Sequence, residues 1–179
     1  MGRRVRIVDY DLQWPILFKE EKCRILEALG DKVVAIEHIG STAVPSLGGK
    51  PIIDIIAGVD QSTDADECVL LLQSLDYKNV TPEPEEPDWY YCLSKVCQRE
   101  NVKLLNYHLH LVKFKSDHWR KHLLFRDYLR NHPEVAQEYY KLKKSLVAKY
   151  GSDREGYTEA RTPFIEAVIA KAKSERAPQ

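Results

Sequence analysis

No run in this chain approaches the roughly 18 apolar residues that a membrane span requires, so no membrane-spanning helix is expected. Neither sign of charge is in excess: 27 basic and 27 acidic residues give a formal net charge of zero. That removes the global field that would draw a protein onto nucleic acid or an anionic membrane, although a local basic face remains open. The basic start MGRRVRIVDYD is not followed by the apolar core of a signal peptide, and a cytoplasmic protein is expected. The four cysteines, Cys23, Cys68, Cys92 and Cys97, lack the Cys-x-x-Cys spacing of zinc and dithiol sites. They read as isolated, buried or half-buried thiols in a reducing compartment. Repeats and low-complexity segments are absent as well.

What is present fits one domain of 179 residues, long enough to bury a sizeable core. Residues 4–8 alternate and read as a short strand or extended arm. From Trp14 to Leu29 the apolar residues Trp14, Leu17, Phe18, Ile25, Leu26 and Leu29 recur at helical spacing. Pro15 suits the first turn and Gly30 the stop. Residues 33–39 and 51–59 read as strands, and 64–75 as a helix carrying Cys68, Leu71, Leu72 and Leu75 on one side. Acids and prolines interleave over 81–87, which predicts an exposed loop. Residues 88–96 and 103–114 form a predicted hairpin around the polar loop 97–101. After Ser116 the pattern is helical throughout. Helices are expected up to Pro133, from Pro133 to Gly151, and over 154–173 with an irregularity near Pro163. The chain therefore divides into a sheet-and-helix part, 1–115, and a helical part, 116–179. Together they make an α+β fold, a sandwich of one sheet and its covering helices.

Alternation along the strands sorts the polar residues. In 51–59, Ile53, Ile55, Ala57 and Val59 share an apolar face, and Asp54 lies on the other with Ile52 and Ile56. In 103–114, Leu105, Tyr107, Leu109 and Leu111 oppose Asn106, His108 and His110. Glu37 and His38 fall on opposite faces of their strand. A lone carboxylate in an apolar strand is costly unless it is paired, metal-bound or at a cleft. Two histidines two residues apart on a strand present both imidazoles to one point. With Asp54 they make a two-histidine, one-carboxylate set, or else simply a half-exposed polar face. Gly40-Ser41 ends a strand and opens a small-residue loop whose free N–H groups suit an anion, or serve as a plain turn. Lys50 adds a cation at the mouth of the Asp54 strand. Arg126 and Arg130, one helical turn apart, have the spacing to grip a phosphate or to join an ion-pair network. Lys143, Lys144 and Arg161 extend a basic helical face or a solvated one.

The stretch EHIGSTAVPSLGGKPIIDI resembles the signature of the GrpB family. YDLQWPILFKEE resembles the family's opening and HLHLV its His-x-His strand. HLLFRDYLRNHPEVAQEYYKLKKSL and YTEARTPFI resemble its helical end. The likeness is nearly full-length. Two departures are Ser46, where glycine is usual, and Arg161, where lysine is usual. The resemblance implies a nucleotidyltransferase-like mixed sheet flanked by helices, similar to the DNA polymerase β type, with a C-terminal helical segment. It implies that the turn at Ile39-Gly40-Ser41 holds a triphosphate; Gly40, Ser41 and Thr42 are the expected phosphate-binding residues, with Lys50, Arg126 and Arg130 offsetting phosphate charge. A GrpB-type domain also occurs fused to some dephospho-CoA kinases.

That superfamily expects Asp-x-Asp on the strand after the turn to hold two magnesium ions. Here Asp54 stands alone, and histidines take the place of the later acid. Three expectations follow. One is metal-dependent nucleotidyl transfer, with Asp54, His108 and His110 as metal ligands or catalytic groups and Mg²⁺, Mn²⁺ or Zn²⁺ as the ion. Another is a non-catalytic module for a nucleotide or a phosphate-bearing ligand such as a CoA precursor. The third is a mononuclear metal hydrolase. Nucleic acid ranks low as a partner, a membrane partner is not expected, and the oligomeric state is open.

Overall fold

The computed structural model describes residues 5–80, 90–99 and 102–176. The predicted acidic loop 81–87 lies outside them. Helix α1 (Trp14–Leu29) has the bounds its periodicity predicts, with Pro15 in its first turn. Gly30 closes it at φ 58°, a left-handed conformation that costs glycine little. Trp14, Leu17, Ile25 and Leu29 are buried, whereas Leu26 is 40% exposed and belongs to the outer side. Strands β1 (Ala35–Ile39) and β2 (Ile52–Val59) follow, then α2 (Ser62–Gln73) and a two-residue strand β3 (Lys78–Asn79). Strands β4 (Tyr90–Arg99) and β5 (Val102–Lys113) form the predicted hairpin. Pairing runs through Cys97 and Arg99, with a register shift between them, so part of the expected loop is strand.

The sheet order is β1-β2-β5-β4-β3. Only β2 and β5 run parallel among the described pairs; the rest are antiparallel. One sheet face carries Ile53, Ile55, Ala57, Val59, Tyr107, Leu109 and Leu111 into a core shared with α1 and α2. On that side Glu21 is fully buried but paired, accepting from Lys95 Nζ at 2.9 Å and Tyr77 Oη at 3.1 Å.

The other face is covered by the helices α3 (Asp117–Asn131), α4 (Pro133–Tyr150) and α5 (Arg154–Arg176). Ser116 caps α3 by accepting from the Trp119 N–H at 3.3 Å. Ile39, Ile56 and Val112 pack there against Trp119. Val44 and Leu47, from the loop after β1, join a second core with α3, α4 and α5. Helix α5 continues through Pro163, where an irregularity was expected. Pro163 and Glu159 are both exposed, so solvent can take the place of the helix hydrogen bond that proline cannot donate. The N-terminal segment is an extended arm: Val8 bridges Gly49, and the Val5 N–H reaches the Gly151 carbonyl at 3.2 Å. The cysteines are free thiols; Cys23 is exposed rather than half-buried, and burial pushes Cys68 up to about 11. No helix among the described residues is long and apolar enough to cross a membrane.

Candidate functional site

The site begins where β1 stops. Gly40 has φ 71° and ψ −172°, a region only glycine occupies without strain. A Cβ there would collide with the Asp54 carboxylate, so the missing side chain lets the turn lie against β2. One 3-10 turn follows, Ser41–Ala43, closed by Ala43 N–H to Gly40 O at 3.2 Å and Val44 N–H to Ser41 O at 3.1 Å. Thr42 is buried, and its hydroxyl donates to Ile52 O at 3.0 Å. It therefore accepts from His38 Nε2, also at 3.0 Å, which sets the tautomer of that imidazole. Ser46 takes φ 64°, a left-handed value that glycine would adopt with less strain.

The β1–β2 and β2–β5 registers pair Ile39 with Asp54 and Asp54 with His108. Asp54, His108 and His110 consequently share the face toward the C-terminal helices, as alternation predicts. His108 Nδ1 lies 3.5 Å from Asp54 Oδ1. Burial alone would raise the Asp54 carboxyl; the His108 hydrogen bond and the nearby imidazoles outweigh it and hold the group below its ordinary value. Burial drives His110 down to about 4. Its Nδ1 is 2.6 Å from Tyr90 Oη. His118 and His122 stand beside it on α3, with the His110 and His122 rings 5.4 Å apart. Sequence periodicity marks these two only as polar helix positions.

Cations close the site from α4 and α5. Lys143, 1% exposed, donates to Ser41 Oγ at 2.7 Å and to Gly48 O at 2.5 Å. Burial and the neighbouring Arg161 lower its ammonium to about 7. Burial, Arg161 and Arg154 lower Lys50 to about 8, and its Nζ sits 4.5 Å from the Tyr157 ring centre. Arg161 lies over the same ring at 4.8 Å and donates to Tyr139 Oη at 3.3 Å. Two donors are left over: Tyr157 Oη and Arg161 Nε are buried without a hydrogen-bond partner among the described residues.

Two adjoining cavities open here. The smaller, about 300 Å³, is lined by Ser41, Thr42, Lys50, Asp54, His108, His110, Lys143, Tyr157 and Arg161, among others. The larger, about 590 Å³, shares Ser41, Asp54, His110 and Arg161 and runs on between α3 and α5.

Gly40, Ser41, Thr42, Lys50, Asp54, His108 and His110 are thus brought together. Arg126 and Arg130 line neither cavity and work behind the turn. Arg126 donates to Glu37 at 2.7 Å, to His38 O at 3.0 Å and to Asp127 at 2.8 Å. Arg130 donates to Ala43 O at 2.9 Å. Lys144 lies over Tyr140, at 4.2 Å from the ring centre. Among the described residues no group of three or more His, Cys, Asp or Glu is placed to hold a metal ion. His108 is turned onto Asp54, and His110 is engaged through Nδ1 by Tyr90. Fewer than two carboxylates also suits Mg²⁺ poorly.

Fold and site together define an α+β protein in which a Gly-Ser turn, a carboxylate–imidazole pair and a cationic wall meet over one face of a mixed sheet. The chain belongs to the GrpB family, whose model, described as "GrpB protein", matches residues 4–171. It is 32% identical over 166 residues to the glutamate-rich protein GrpB of Alkalihalophilus pseudofirmus, covering 92% of this chain and 94% of that one. A crystal structure of the conserved protein GrpB from Enterococcus faecalis superposes with a TM-score of 0.78 at 27% identity, covering 95% of this chain and 98% of that one. A dephospho-CoA kinase of Mycolicibacterium paratuberculosis is 25% identical over 186 residues, covering 94% of this chain but 46% of the kinase.

Proposed function

We propose that this protein binds a phosphate-bearing small molecule, a nucleotide or a CoA precursor, with its phosphate in the smaller cavity beside Ser41. The observation that carries this is a charge imbalance. Lys50, Lys143 and Arg161 face Asp54 as the sole carboxylate among the described lining residues. Two buried donors on residues of the same lining, Tyr157 Oη and Arg161 Nε, lack acceptors among the described residues. An unpaired buried donor costs about 1–3 kcal/mol, and phosphate oxygens would satisfy both. The depressed lysines supply a second argument, because a bound anion would offset the burial and, after it, the cationic repulsion that lower them. The likeness to a dephospho-CoA kinase makes dephospho-CoA one ligand to try.

The test is calorimetric titration of ATP and dephospho-CoA, alone and with Mg²⁺, Mn²⁺ or Zn²⁺, into wild type and Lys143→Met. Binding is expected, with at least a tenfold loss in the variant. No heat from any phosphate-bearing probe in wild type would end the reading.

Nucleotidyl transfer is a second reading, favoured by the Asp54–His108 pair at the cavity floor. With Asp54 accepting from His108 Nδ1–H, Nε2 would be the nitrogen to serve as a base. An acceptor hydroxyl would give its proton to Nε2 as its oxygen bonds to phosphorus and pyrophosphate departs. Pyrophosphate release lost in Asp54→Asn supports this; no release across a panel of nucleotides and acceptors removes it.

A further inference from the structure

We infer that the ligand is a phosphate ester with an apolar body, seated between α3 and α5, and not a bare sugar phosphate; this rests on the anion-site reading above. The larger cavity adjoins the smaller, sharing Ser41, Asp54, His110 and Arg161 with it. Beyond that junction an apolar row joins the lining, with His118, Lys121, His122, Glu166 and Lys173 around it. Arg161, Ile165 and Ile169 recur every four residues, so they lie in one row along α5. From the cation to Ile169 the row extends about 12 Å at 1.5 Å per residue. Phe125 faces the row from α3, and Ala170 stands exposed at its edge. Ile165, Ile169 and Phe125 are only partly buried by their own core, so the cleft leaves apolar surface in water that a ligand would cover.

Lys121 and Lys173 also line the larger cavity, with Glu166 beside them, but Arg161 Nε, unpartnered among the described residues, and the Lys143–Ser41 corner orient the occupant. Its anion meets Arg161 and Ser41, and its body lies along the row of isoleucines. A volume of about 590 Å³ is within the range of small-molecule sites. A ligand made of phosphate and sugar alone would fill the polar end and leave the row wet. An aryl or branched alkyl group on the same phosphate would displace that water and gain affinity.

Phosphorus NMR titration of inorganic phosphate, ribose 5-phosphate and 1-naphthyl phosphate separates these cases. Wild type is expected to bind the naphthyl ester at least tenfold more tightly than the other two. Ile169→Asn and Ala170→Trp should each remove most of that preference and leave inorganic phosphate unchanged. Ala170 is exposed, so its replacement blocks the groove without opening the core; a melting curve on each variant checks this. Equal affinity for all three probes in wild type would overturn the apolar-body inference and leave the anion site standing. So would a preference that both folded variants retain. If none of the probes binds, the anion site itself is wrong, and this inference falls with it.

Discussion

Acid should weaken this fold through its buried imidazoles, His110 among them, and His38 allows one share of that effect to be measured. His38 is 6% exposed, stacks on Phe18 with ring centres 4.6 Å apart and donates to Thr42. Burial is the main cause of its lowered pKa, Asp54 opposes it, and Arg130 and Arg126 add to it, leaving the group at about 4 against an ordinary 6.5. In the unfolded chain His38 protonates near 6.5, but the folded protein refuses the proton until about 4. Its neutral form therefore costs nothing above 6.5, and stability falls as pH drops from there towards 4. At about 1.4 kcal/mol per pH unit the full effect is roughly 3 kcal/mol, of which roughly 2 kcal/mol has been lost by pH 5. Urea unfolding of wild type and His38→Gln at about pH 7.5 and pH 5 measures it. Whatever the substitution costs by itself cancels when each protein is compared with itself. Wild type should lose about 2 kcal/mol more than the variant across that interval. Equal losses would refute the claim that His38 is held neutral by its surroundings.

Two further outcomes follow from the turn and the cationic wall. Gly40→Ala meets both a glycine-only backbone conformation and the Asp54 carboxylate. It should destabilise by about 2 kcal/mol or more and lower the melting temperature by about 4 °C or more; an unchanged melting curve would refute the geometry of the turn. Lys143 at about 7 and Lys50 at about 8 are partly neutral in mildly alkaline buffer. An anion favours their charged forms, so binding should take up protons, and affinity should fall about tenfold or more between pH 7 and 9. Calorimetry in buffers of different ionisation enthalpy detects this, and a heat that does not depend on the buffer would contradict it.

Much of the sheet was legible because its signals are local. Alternation in β2 separates Asp54 from Ile53 and Ile55 without knowledge of any partner strand. The same rule puts His108 and His110 opposite Tyr107 and Leu109. What alternation cannot supply is register, and the pairing of Asp54 with His108 depends on it. The two-residue strand β3 carries no periodicity at all. Lys143 and Arg161 read only as a basic helix face, because their approach to Ser41 is a product of helix docking. Tyr157, Tyr139, His118 and His122 reach the site in the same way. Arg126 illustrates the converse. Its spacing with Arg130 fits an anion clamp, but Glu37 and the His38 carbonyl, on a distant strand, occupy it.

The parallel pairing of β2 with β5 carries a kinetic consequence. Asp54 and His108 are roughly fifty residues apart in the chain, and a parallel pair cannot be closed by a hairpin. The β4–β5 hairpin can form early from local contacts. The carboxylate and its imidazole become neighbours only when that hairpin docks along β2, a slow, non-local step. Lys143 and Arg161 arrive later still in sequence, on helices that pack over the finished face. A nascent or partly unfolded chain would thus expose the strands long before it could hold an anion, and recovery of ligand affinity would trail recovery of secondary structure during refolding.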